Sequence, residues 1–134
     1  MVTFTGRARR YNVKNIVSKQ AIRISCASNA WMLQWTVPGV WKGKKGEVYV
    51  AVRGENLAAG KPALSSGTYN LETKKGYYAP AINGENISTD EYTWHKLGEF
   101  EFSEPQYVWL APVQQRTGDQ SSIWVDRMII IMKD

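Results

Sequence analysis

The sequence predicts an all-β fold, a jelly-roll sandwich of about eight strands, and three observations carry that prediction. Glu47-Val48-Tyr49-Val50-Ala51-Val52-Arg53 alternates strictly, with Val48, Val50 and Val52 toward one face and the other four residues toward the opposite one. Phe100 and Phe102 alternate with Glu99 and Glu101 over residues 97–102, the pattern of a strand with one wet side. No segment shows helical periodicity, while β-branched and aromatic runs punctuated by Gly, Pro and Asn recur throughout.

In chain order, a weaker strand is expected near residues 11–17. Strands follow at 20–27, 31–37, 47–53, 67–71, 97–102 and 106–111. Glu104-Pro105 breaks the strand at 97–102, and Pro112 stops the one at 106–111. A polar loop over 114–121 leads into 122–132, whose two apolar faces predict a central strand. Residues 38–46 and 72–92 are long enough to be functional loops. No internal repeat or linker interrupts the pattern, so residues 1–134 are read as one domain.

Composition bounds the function. A chain of 134 residues buries roughly two-thirds of its unfolded surface in one core, and 43% apolar residues are too many for a disordered chain. No apolar run approaches the ~20 residues of a membrane span. The first ten residues lack the apolar stretch of a secretory signal, which fits a cytosolic protein or a mature or excised fragment of a longer one. Cys26 is the single cysteine, which excludes an internal disulfide and a cysteine-rich zinc cluster. Residues 1–46 hold nine Lys or Arg and no Asp or Glu, whereas the remainder holds eight basic against twelve acidic side chains. Such a basic end suits nucleic acid, an anionic glycan, an acidic neighbour or plain solvent.

Trp41-Lys42-Gly43-Lys44-Lys45-Gly46 followed by the strand 47–53 resembles the aromatic-glycine-valine strand of galactose-binding-like carbohydrate-binding sandwiches. Gly67-Thr68-Tyr69, Trp94-His95-Lys96-Leu97-Gly98, Tyr107-Val108-Trp109-Leu110-Ala111-Pro112 and Ile123-Trp124-Val125-Asp126-Arg127-Met128 are similar to the closing half of such modules, and Ala27-Ser28-Asn29-Ala30 to an early segment. The resemblance implies a non-catalytic module appended to a bacterial glycan-processing protein, secreted or periplasmic, with oligo- or polysaccharide as partner and no cofactor. Many such modules hold calcium through carboxylates of the first and last strands. Residues 1–46 contain no carboxylate, so no metal site is expected.

Sugar C–H groups pack on aromatic faces and sugar hydroxyls seek planar polar partners, so loop aromatics are the informative ones. Trp41, the adjacent pair Tyr77 and Tyr78, and nearby Asn83 are the expected ligand-binding residues, with Trp94 and Arg53 as supports. Trp41 has an alternative role as a cover on the end of the core, and Arg53 as half of a salt bridge. Trp31, Trp35, Trp109 and Trp124 lie inside strands and are expected in the core. Asp126 and Arg127 interrupt an apolar run and are expected to be ion-paired with their neighbours.

Nothing in the sequence spells catalysis. His95 is the only histidine, and no nucleophile elbow, P-loop or paired-histidine metal motif is present. Two other classes stay open. A structural sandwich docked on a neighbouring domain or subunit needs only the fold, and a nucleic-acid binder would use the basic first third without a recognisable motif.

Overall fold

The computed structural model describes residues 3–5, 8–10, 22–25, 33–113 and 121–133. The expected strand near 11–17, the 27–30 motif, Trp31 and the loop 114–120 lie outside the described residues. Strands run β1 Thr3–Thr5, β2 Ala8–Arg10, β3 Ile22–Ser25, β4 Leu33–Thr36, β5 Lys45–Glu55, β6 Pro62–Asn70, β7 Gly76–Tyr78, β8 Ile82–Asn83, β9 Thr93–Glu101, β10 Gln106–Pro112 and β11 Ser122–Met132. Single 3-10 turns occupy Gly39–Trp41 and Gly84–Asn86.

Two antiparallel sheets form the predicted sandwich. One has the order β3-β11-β5-β9; the other has the order β4-β10-β6-β7, with β8 also on β6. β1 and β2 pair as a separate hairpin. β11 has β3 on one side and β5 on the other, the central position its two apolar faces predict.

The core lies between the sheets because alternation sends one set of side chains there. Val48, Val50 and Val52 from β5 and Ile123, Val125, Met128 and Ile130 from β11 meet Leu64, Val108 and Leu110 from the opposite sheet. Each such burial is worth roughly 1.5–3 kcal/mol, which makes this set the main source of stability. Asp126 escapes the core because a bulge between Val125 and Arg127 shifts the register. The expected buried pairing with neighbours is corrected: Asp126 and Arg127 pair with each other, Nε to Oδ2 at 3.1 Å, on the surface.

Residues 72–92 do not form one loop. Asn70 closes a tight turn, its Oδ1 accepting hydrogen bonds from the Glu72 and Thr73 amides while its own N–H donates to the Lys75 carbonyl at 2.8 Å. Lys74, at φ 60°, completes the reversal, and the chain returns along β6 as β7. Among the described residues β7 pairs only with β6 and β9 only with β5, so each carries a free edge on the same side of the sandwich.

Candidate functional site

The outer face of the five-stranded sheet carries two rows of side chains set by strand register. Tyr78, Gly67, Trp109 and Gln34 stand opposite one another across β7, β6, β10 and β4. Beside them run Gly76, Tyr69, Tyr107 and Thr36. Three strand spacings make each row about 15 Å long.

Trp109 is the floor of this face. It is only 3% exposed, and the Tyr78 ring stands edge-on to it with centroids 5.1 Å apart. Gly67 makes that contact possible, since a Cβ there would lie 2.8 Å from Trp109 Cζ2 and run into the Tyr77 carbonyl. Tyr78 itself is 75% exposed, and Gln34 and Thr36 are open at the far end. Tyr69 and Tyr107 tilt together at 5.6 Å, both half-buried. Burial, then the neighbouring Tyr69 and Tyr78 phenols, push the Tyr107 hydroxyl above its ordinary value, so it stays a neutral hydrogen-bonding group. Among the described residues these two rows contain no charged side chain.

The six residues expected at a site are not brought together. Trp41 is 1% exposed: the turn at Gly39–Trp41 tucks its ring into the end of the core against Trp35 at 5.1 Å and Phe102 at 5.2 Å. It closes the core and is not open to a ligand, which corrects the ligand-contact expectation. Tyr77 and Tyr78 separate because adjacent strand residues point to opposite sides. Tyr77 turns inward to the free-edge side, where its ring meets Phe100 at 5.7 Å. Asn83 pairs with Pro62 on β8, and Asn86 is the asparagine that lines the nearest hollow.

Trp94 and Arg53 belong to the outer face of the other sheet. The Arg53 guanidinium sits over Trp124 at 5.1 Å and Tyr92 at 5.8 Å, donates to the Thr89 carbonyl, and lies 3.6 Å from the Glu55 carboxylate. Trp124 Nε1 donates to the same carboxylate at 3.2 Å. This cluster ties the 88–92 segment to β5 and β11, so Arg53 is spent on structure. Trp124 is accordingly half-buried on an outer face, a correction to its placement in the core, whereas Trp109 is buried as expected but beneath Tyr78 on the other outer face and not between the sheets. Trp35 does face inward and packs on the core. Trp94 is 48% exposed opposite Ala51.

Tyr69, Tyr107, Trp109, Gln34 and Thr36 were not among the expected site residues. The signal was present in 106–111, where Tyr107, Trp109 and Ala111 alternate with Val108 and Leu110: a strand so apolar on both sides must have its second side covered or in use.

The fold has a solved counterpart. The chain superposes on the CBM22-1 xylan-binding domain of Paenibacillus barcinonensis Xyn10C with a TM-score of 0.55 at 14% identity, over 98% of this chain and 85% of that one. The likeness is one of fold. No family model and no curated protein sequence matches the chain.

Proposed function

We propose that this chain is a non-catalytic carbohydrate-binding domain that holds an oligo- or polysaccharide across the outer face of its five-stranded sheet. The observation that carries the reading is the pair of rows ending in Tyr78 and Gln34 and in Tyr69, Tyr107 and Thr36. Rings supply faces for sugar C–H groups, and phenol, amide and hydroxyl groups supply partners for sugar hydroxyls. An open face accepts the interior of a chain, whereas a closed pocket would select its ends. The rows hold no carboxylate or imidazole among the described residues, so they suit recognition better than acid–base chemistry. The fold shared with a xylan-binding domain supports the same class of ligand. In this reading the domain keeps an attached glycan-processing domain on its polysaccharide, outside the cytoplasm.

A glycan array followed by titration calorimetry tests it. Binding to at least one polysaccharide is expected, weakened by both Tyr78→Ala and Tyr107→Ala. Unchanged affinity in both variants would move the site elsewhere, and absence of binding to any glycan would remove the reading.

A further inference from the structure

A groove runs along the side of the sandwich between the free edges of β7 and β9. Three hollows of about 350, 540 and 320 Å³ compose it, each of a size usual for small-molecule sites. Tyr77 lines all three, and Thr68 and Glu101 line two, so the hollows are contiguous around the Tyr77 ring. From His95 at one end to Glu101 at the other, the groove follows seven residues of β9, about 20 Å.

Its chemistry suits a polyhydroxylated chain. Tyr77 is 45% exposed and held upright by Phe100, which leaves part of its ring free to pack. Asn86 and Thr68 offer neutral polar groups along the walls. Glu101 has its carbonyl held by Gln106 Nε2, while its carboxylate has no partner among the described residues. Lys45, Lys75 and Lys96 line the groove with Glu99 and Glu101, so donors and acceptors are both present and the two signs nearly balance. Nearly balanced charge disfavours a strongly anionic or cationic ligand, and a linear groove disfavours a compact one.

We propose that this groove is a second binding site, separate from the sheet face, for an extended uncharged glycan. The inference rests on the carbohydrate reading above. The two sites share one chain through different strands: Tyr78 serves the face and Tyr77 the groove. Occupying both would raise retention on an insoluble polysaccharide beyond that of either site.

Xylohexaose, cellohexaose and laminarihexaose titrated into the chain, with stoichiometry read by calorimetry, form the test. Two sites per chain are expected for at least one of them. Tyr77→Ala and, separately, Glu101→Ala should each leave one site of unchanged affinity and cut retention on the matching insoluble polysaccharide about tenfold, a loss of ~1.4 kcal/mol. The Glu101→Ala arm protects against the chance that Tyr77→Ala disturbs β7. One site per chain, abolished by Tyr78→Ala and untouched by Tyr77→Ala and Glu101→Ala, overturns the groove and leaves the sheet face standing. Binding of none of the three sugars overturns both.

Discussion

Tyr77 and Tyr78, neighbours in the chain, touch aromatic rings on opposite sides of one sheet: Tyr77 meets Phe100 at 5.7 Å and Tyr78 meets Trp109 at 5.1 Å. The period of two in β7 forces this division, and it makes the pair separable by mutation. Tyr78→Ala removes the most exposed ring of the sheet face without opening the core. Its unfolding midpoint should stay near that of the parent, while affinity at the face falls about tenfold or more, ~1.4 kcal/mol. Calorimetric titration beside a thermal melt checks both halves.

Trp41→Ala should behave in the opposite way. The ring is buried against Trp35 and Phe102, and its loss leaves a cavity that costs about 3–5 kcal/mol. Against a typical domain stability of about 5–15 kcal/mol that is a large fraction. Urea titration should show the lower midpoint, and glycan affinity per folded molecule should not change. A Trp41→Ala protein with parental stability and lost affinity would return this residue to the binding site.

Those two residues also show where sequence reasoning succeeds and stops. The strands at 47–53, 106–111 and 122–132 are legible because alternation is a local property, and β5, β10 and β11 cover them. Which side of a strand is open is not local, since it depends on where the partner sheet lies. Hence 106–111 reads as a strand whose second side must be covered or in use, without showing that the side of Tyr107 and Trp109 is the outward one. Trp41 read as a loop aromatic, because a single 3-10 turn that buries a ring leaves no periodic trace. β7 was lost inside a long loop for a similar reason: three residues are too few to show alternation, and the Asn70 turn that creates it depends on side-chain hydrogen bonds.

Stability should fall as acid is added, in two windows. Burial holds His95 below its ordinary 6.5, with Nε2 2.8 Å from Thr93 Oγ1. The unfolded chain therefore takes up this proton at higher pH than the folded one, and stability is lost as pH drops below about 6.5. His95→Gln should flatten the melting temperature between pH 7.5 and 5.5. Glu47, held low first by the Tyr49 hydroxyl, and Glu99, held low first by Lys133, act in the same direction below the ordinary 4.5. Glu99 is exposed and Glu47 half-buried at the surface, within reach of solvent, so their window should be shallow and should shrink further in salt.

Gly67→Ala should damage the sheet face where Gly76→Ala does not. A Cβ at Gly67 meets Trp109 Cζ2 at 2.8 Å and the Tyr77 carbonyl, so either the floor or β7 must move, at a cost of roughly 1–3 kcal/mol. At Gly76 the nearest atoms are the Thr68 carbonyl oxygen at 3.4 Å and Tyr69 Cδ1 at 3.5 Å, ordinary contacts. Tryptophan fluorescence and affinity should both change in the first variant and in neither property in the second.

Salt separates the carbohydrate reading from nucleic-acid binding through the basic first third. Among the described residues, the rows from Tyr78 to Gln34 and from Gly76 to Thr36 hold no charge, so a neutral glycan seated there releases no counterions. Affinity should change less than about twofold between 50 and 500 mM salt, because CH–π packing and neutral hydrogen bonds are barely screened. A nucleic acid neutralised by several Lys and Arg would instead lose about 10³-fold or more over a far smaller range, from 50 to 200 mM. Fluorescence anisotropy with a labelled oligonucleotide, run beside the glycan titration, gives both slopes on one preparation. A steep slope for the oligonucleotide combined with no glycan affinity would assign the function to the basic segment and leave the tyrosine rows as surface.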